Sequence, residues 1–108
     1  MELRRTPDAI AHYEAAVAKR TGFAAAHYNL ANVLAASGRK QDAIAQYEAA
    51  LRAKPDYPEA HHNLGSALFE LGRLPDAAKH YEETLRLAPE FPNARENLER
   101  VRVRMNPK

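Results

Sequence analysis

The chain is 108 residues long, 45% apolar and 28% charged, which suits one small folded domain and is unlike a disordered segment. It contains no cysteine, so disulfide bonds and thiolate metal sites are excluded. The formal charge is +2, and the basic excess is concentrated in residues 92–108, which is narrower than the basic surface of a typical nucleic-acid-binding protein.

The first residues, MELRRTPDA, lack the apolar stretch of a secretory signal. No apolar run of the sequence reaches the roughly 18 residues that a membrane-spanning helix needs. We therefore expect a cytoplasmic protein, with neither a membrane nor nucleic acid as its partner.

The sequence contains an internal repeat, which is the main signal for its fold. Residues 24–57 and 58–91 are identical at 14 of 34 aligned positions. The period also extends into both ends, because ELRRTPDA near the start matches ELGRLPDA in the second copy at six of eight positions. The chain is therefore divided into the second helix of a truncated repeat (1–23), two whole repeats (24–57 and 58–91) and a C-terminal capping helix (92–108).

Each whole repeat is predicted to form two helices. Ala26, Leu30 and Val33 recur at the spacing of one helix face, and His27 and Leu34 belong to an adjoining apolar stripe. Residues that start or end helices recur with the same period: prolines at the start of first helices, glycines at their ends, aspartates in the first turn of second helices and prolines after them (Pro58, Pro92; Gly38, Gly72; Asp42, Asp76; Pro55, Pro89). One such hairpin cannot bury both of its apolar stripes, so successive repeats are expected to stack.

These residues resemble the tetratricopeptide repeat family, with which they share the repeat length and the signature positions (Leu30-Ala31, Leu64-Gly65, Gly38, Gly72, Ala43, Ala77, Tyr47, Tyr81, Ala50, Pro55, Pro89). Histidine at 27 and 61 and threonine at 84 depart from the family pattern. The resemblance implies an all-α, right-handed solenoid of helix–turn–helix repeats. In that family the first helices line a concave groove that holds peptides and partner proteins, without catalysis.

The two ends of the chain differ in character. In the last helix, charged residues (Arg95, Glu99, Arg102) replace one apolar stripe, whereas the other stripe stays apolar (Ala94, Leu98, Val101, Met105), as expected for a cap. At the N-terminus, Ala9, Tyr13 and Ala16 form an apolar stripe with no preceding helix to cover it. That stripe predicts either self-association or a cut from a longer array.

The groove face implied by the resemblance is the part of each first helix that lies on neither packing stripe. Asn29, Asn63 and Asn97 recur there once per repeat, and we name them the asparagine ladder. A carboxamide both donates and accepts hydrogen bonds, so the ladder could bracket the backbone of an extended peptide. The remaining predicted peptide-binding residues share this face (Tyr28, Asn32, His62, Ser66, Phe69, Arg100, Arg104). The alternative is that these asparagines solvate a helix surface or bond to a neighbouring helix.

Two subtypes of the family bind their ligands through side chains on this face. The carboxylate clamp that grips acidic chaperone C-termini needs two asparagines, matched by Asn32 and Asn63, and three cations, whose places hold Tyr28, Asn93 and Asn97. Without those cations a terminal carboxylate gains little charge-assisted bonding, so a clamp is not expected. The ladder instead resembles the asparagine array in the repeat domain of O-linked N-acetylglucosamine transferase.

No arrangement in the sequence indicates catalysis or a bound metal. Adjacent His61 and His62 point about 100° apart on a helix and cannot share an ion, and His27 recurs with His61 as a packing position. No nucleophile–base pair, phosphate loop or paired-carboxylate motif is recognisable. We expect a non-enzymatic interaction module without a cofactor, and the alternatives are an assembly module or a regulatory fragment of a larger enzyme.

Overall fold

The computed structural model describes residues 23–107, which form five α-helices and contain no strand. The helices are α1 (Ala24–Ala36), α2 (Lys40–Ala53), α3 (Pro58–Glu70), α4 (Leu74–Leu87) and α5 (Ala94–Met105). The predicted all-α helical-repeat class is confirmed. The predicted first helix, with Ala9, Tyr13 and Ala16, lies outside the described residues. The chain divides after Pro55 into two compact units.

The first unit contains the antiparallel pair α1 and α2. Small and branched apolar side chains fill the contact between the two helices (Leu30, Ala31, Leu34, Ala43, Ile44, Tyr47). His27 is also buried, and its Nδ1 lies 2.8 Å from Gln46 Oε1 on α2. The sequence prediction that His27 is a packing residue is therefore confirmed.

The second unit contains α3, α4 and α5, with α4 in contact with both of the others. Its core is built from all three helices (Ala60, Leu64, Leu68, Ala77, Tyr81, Thr84, Leu98, Val101). Gly65 permits a close approach of α3 to α4, because a Cβ at this position would lie 3.0 Å from Tyr81 Cε1 and 3.3 Å from the Ala77 carbonyl oxygen. An alanine at residue 65 would therefore fit between α3 and α4 only if neighbouring atoms shifted.

The turns within both hairpins follow the predicted pattern. Gly38 and Gly72 adopt φ values of +84° and +79°, the left-handed conformation that favours glycine after a helix. The following amides close the turn, with Arg39 N–H donating to Leu34 O at 2.9 Å and Arg73 N–H to Leu68 O at 2.9 Å. The second helix of each hairpin therefore starts at the same place in both repeats.

The last helix departs from the sequence prediction in two respects. Pro58 is the first residue of α3, as predicted, but the prediction for Pro92 is wrong because α5 begins at Ala94. Asn93 precedes it with φ +66°, a left-handed conformation that asparagine tolerates and that interrupts the helix before Ala94. Met105 is 45% exposed at the last residue of α5, so its assignment to the packed stripe is wrong.

The rest of α5 has the two faces predicted for it. Ala94, Leu98 and Val101 are buried. The three charged residues of the opposite face are exposed, and two of them have partners: Arg102 lies 3.4 Å from Glu82, and Arg95 donates to the Pro89 carbonyl oxygen at 3.2 Å.

Candidate functional site

Helix α1 carries three predicted binding residues, of which one is exposed to solvent and two contact Tyr47 of α2. Asn29 is exposed on α1. Tyr28 is half-buried, with its ring 6.1 Å from the ring of Tyr47. The Tyr47 hydroxyl donates a hydrogen bond to Asn32 Oδ1. Asn32, predicted to bind peptide, therefore positions a tyrosine of α2.

The second unit repeats this arrangement with different residues. Ser66, which occupies the repeat position of Asn32, shares a hydrogen bond of 2.8 Å with the Tyr81 hydroxyl. His62, which occupies the repeat position of Tyr28, has its ring 5.5 Å from that of Tyr81. Burial raises the pKa of Tyr81, and the Ser66 hydrogen bond acts in the opposite direction. His62 and Ser66 of α3 therefore both contact Tyr81, whose raised pKa keeps its hydroxyl neutral.

Four side chains of the second unit form a directed series of hydrogen bonds, which we name the polar chain. Arg100 Nη1 donates to Asn97 Oδ1 at 3.1 Å. Because arginine only donates, the Asn97 oxygen faces Arg100 and its Nδ2 group faces His62 Nε2, 3.0 Å away. His62 Nε2 therefore accepts, which leaves the proton on Nδ1 to donate to Asn63 Oδ1 at 3.4 Å.

His62 is the centre of the polar chain, and its surroundings favour its neutral form. The ring is half-buried, with Phe91 at 4.9 Å between ring centroids. Burial lowers the pKa of His62, while the hydrogen bond to Asn63 acts to raise it. A neutral imidazole is also what the acceptor role of Nε2 requires. The lowered pKa and the hydrogen-bond geometry thus agree on a neutral ring, and the geometry places its proton on Nδ1.

One edge of this surface is basic and partly apolar. Arg104 lies over the ring of Phe69, with its Cζ 5.3 Å from the centroid, a cation–π distance. Arg100 and Arg104 are both exposed on successive turns of α5, and Val103 between them is also exposed. Seven of the predicted binding residues thus lie on α3 and α5 of the second unit. We name this set the α3–α5 surface (His62, Asn63, Ser66, Phe69, Asn97, Arg100, Arg104).

Sequence reasoning missed the aromatic support of this surface. Tyr47 and Tyr81 are named from the sequence only as family signature positions, and Phe91 is not singled out there. A signal for Phe91 existed, because Tyr57 holds the same position in the preceding repeat and is also aromatic. The asparagine ladder as one continuous row of three remains a prediction; the described contacts link Asn63 and Asn97 through His62.

Metal sites and membrane-spanning helices are two further possibilities for residues 23–107. No three histidine, aspartate or glutamate side chains of this range converge as metal ligands would. Of the helices in the described range, none combines the length and apolarity needed to span a bilayer.

The comparison with known families decides the identity of the fold. The sequence profile described as tetratricopeptide repeat matches residues 1–58 and, in a second register, residues 30–93. The chain belongs to the tetratricopeptide repeat family. The resemblance noted from the signature residues is thereby confirmed. No curated protein sequence matches the chain at a significant level.

Solved structures of other tetratricopeptide repeat proteins are similar to this one. MamA is 27% identical with a TM-score of 0.86, and the match covers 89% of this chain and 56% of MamA, so this chain spans little more than half of that protein. The first TPR domain of Spaghetti (RPAP3), solved with the HSP90 peptide SRMEEVD, is 22% identical with a TM-score of 0.90, covering 96% of this chain and 82% of that domain.

A third similar structure is the Yersinia enterocolitica type III secretion chaperone SycD in complex with a peptide of the translocator YopD. It is 16% identical with a TM-score of 0.87, covering 94% of this chain and 83% of SycD. At such identities, the likeness to this chaperone and to the Spaghetti domain establishes the shared fold.

Proposed function

We propose that this chain is a protein-interaction module that holds an extended, acidic peptide segment against the α3–α5 surface. The observation that carries the proposal is the polar chain. It orders two carboxamides and a guanidinium on the side of α3 and α5 that the core does not use. Groups ordered before binding lose less conformational entropy when a ligand arrives, which favours affinity.

The hydrogen-bonding capacity of the surface indicates the chemistry of its ligand. Arg100 commits one of five N–H donors to Asn97, and the Asn97 amide commits one of two N–H donors to His62. The α5 edge therefore offers donors, which suit peptide carbonyls and carboxylates. Arg100 and Arg104 add two positive charges, and Phe69 adds an apolar ring.

A further consideration supports peptide capture. The Spaghetti domain and the secretion chaperone named above were each solved with a peptide, which makes peptide capture a reasonable expectation for a chain of the same fold. Asn29 holds the same repeat position on α1 and is exposed there, and its contact with a ligand backbone stays a prediction from the sequence. The proposed activity is binding, with no catalytic step.

Fluorescence anisotropy with labelled, end-blocked peptides of about a dozen residues tests this function. One peptide alternates glutamate with apolar residues, and its partner replaces every glutamate by lysine. We expect the acidic peptide to bind and the basic one to bind at least tenfold more weakly. A double variant Asn63→Ala/Asn97→Ala should weaken the acidic peptide roughly tenfold or more, since each lost hydrogen bond is worth about 1 kcal/mol.

The matched control is Arg95→Ala, which removes an exposed cation of α5 whose contact is the Pro89 carbonyl rather than the α3–α5 surface. Arg95→Ala should bind like wild type, whereas Arg100→Ala/Arg104→Ala should lose the preference for the acidic peptide. Equal affinity of wild type for both peptides, or equal losses in the control and the double variants, would contradict the proposal.

Self-association through Ala9, Tyr13 and Ala16 is a separate prediction on residues outside the described range. A light-scattering mass at micromolar concentration tests it. A dimer that dissociates in Tyr13→Glu would support it, and a strictly monomeric wild type would remove it.

A further inference from the structure

Two histidines face each other across the hairpin of the second unit, away from the α3–α5 surface. His61 on α3 is 8% exposed, and His80 on α4 is half-buried. Their Nδ1 atoms lie 3.0 Å apart, the ring centroids are 5.3 Å apart and the ring planes are 25° from parallel. At this distance one Nδ1 carries a proton and the other presents its lone pair.

This histidine pair tolerates one added proton but not two. An imidazolium can donate from Nδ1 to a neutral neighbour whose proton is on Nε2. When both rings are imidazolium, two N–H groups point at each other and two positive charges lie in neighbouring rings. The hydrogen bond is then lost, and charge repulsion acts across the contact between α3 and α4.

The first repeat makes the same contact with a residue that does not titrate. His27 and Gln46 hold the positions in the first repeat that His61 and His80 hold in the second. His27 Nδ1 lies 2.8 Å from Gln46 Oε1, so it donates to an amide oxygen. His27 can gain a proton on Nε2 and still make that bond. The two repeats therefore differ in how this contact responds to acid.

Burial and the charged groups around His80 both act on the pKa of its imidazole. The pKa of His80 is lowered to about 4, chiefly by burial, then by His61 on α3 and by Lys79 on its own helix. Asp76 and Glu83 act in the opposite direction, and Glu83 is held by Arg86 at 2.8 Å. The cation that α5 extends toward α4 is Arg102, which is paired with Glu82.

We propose that the His61–His80 pair makes the second repeat acid-sensitive, keeping α3 and α4 in contact while one ring is neutral and destabilising that contact when both rings are protonated. This inference is independent of the proposed peptide binding. A pKa lower in the folded than in the unfolded state means that the unfolded chain binds more protons. The stability is therefore fully present above about pH 6.5 and falls as the pH drops from about 6.5 to about 4.

Urea unfolding of the whole chain at pH values from 7.5 to 4, followed by circular dichroism, tests the proposal. His80→Gln copies the His27–Gln46 contact into the second repeat. Between pH 7 and pH 4 we expect the folding equilibrium constant of wild type to fall by roughly 10- to 100-fold more than that of His80→Gln, the range being reduced for the partial exposure of His80. Carboxylates elsewhere titrate in both proteins, so the difference between the two isolates the histidine pair.

Gln46→His provides the converse variant, since it places a second histidine opposite His27. It should steepen the pH dependence of stability, and it keeps the proposal testable if His80→Gln does not fold. NMR of the imidazole CH resonances gives an independent measurement, with His80 expected to titrate well below pH 6. Parallel pH profiles for wild type and both variants, or titration of His80 near pH 6.5, would overturn the proposal.

Discussion

The close approach of α3 to α4 at Gly65 leads to a prediction in which helix propensity and packing oppose each other. Alanine is a better helix former than glycine, by about 0.5–1 kcal/mol in a helix interior. Its methyl group, however, would lie 3.0 Å from Tyr81 Cε1, 3.1 Å from Tyr81 Cδ1 and 3.3 Å from the Ala77 carbonyl oxygen. The Tyr81 ring is buried and its hydroxyl is bound to Ser66, so a shift of the ring would strain that packing and that hydrogen bond.

Overpacking of this kind costs about 1–3 kcal/mol. After subtraction of the propensity gain, Gly65→Ala should lower the free energy of unfolding by up to roughly 2.5 kcal/mol. The first repeat holds alanine, Ala31, at the equivalent position, where it is fully buried. Ala31→Gly is therefore the matched variant, and it should destabilise the chain by about 1–2 kcal/mol through lost propensity and a lost buried methyl group.

The assay is urea unfolding at pH 7 followed by far-ultraviolet circular dichroism, with the midpoint and slope compared across wild type and the two variants. An unchanged slope with a lower midpoint in Gly65→Ala is the expected result. A midpoint raised by the amount that helix propensity alone predicts would refute the packing argument. It would mean that α3 and α4 separate slightly at no measurable cost.

Two further predictions concern the core and the polar chain. Leu64→Ala, in the core of the second unit, should lower the free energy of unfolding in urea by about 2–5 kcal/mol. Val103→Ala, exposed on α5, should change it by less than about 0.5 kcal/mol. Similar losses in both variants would contradict the described packing. Asn97→Asp replaces the amide that donates to His62 Nε2 by a negatively charged group that only accepts, so the pKa of His62 should rise. NMR titration measures this pKa. An unchanged value would contradict the hydrogen-bond direction between Asn97 and His62.

The two repeats show how one fold supports different surface chemistry. The tyrosine of each second helix is bound by a polar residue of the first helix, Asn32 in one repeat and Ser66 in the other. The shorter serine side chain satisfies Tyr81 as the asparagine satisfies Tyr47. Replacement of Tyr28 by His62 at the neighbouring position adds two ring nitrogens, and these connect Asn63 with Asn97. The polar chain is thus a property of the second unit.

Local signals in the sequence predicted most of the fold. The repeat period predicted where helices begin and end, because glycine after a helix and proline before or after it act through their own backbone dihedral angles. Gly38, Gly72 and Pro58 are found as expected. The prediction failed at Pro92, where Asn93 adopts a left-handed conformation that its residue type permits but does not require.

The sequence by itself determined the family and the helical hairpins, since these depend on residue type and on spacing along a helix. Only the tertiary structure decided which side chains meet. It assigned Asn32 and Ser66 to tyrosines 15 residues away, joined Asn97 to His62 across 35 residues and paired His61 with His80 across 19. The physical reason is that helical periodicity gives the direction of a side chain, whereas a hydrogen bond near 3 Å depends on the distance and rotation between two packed helices.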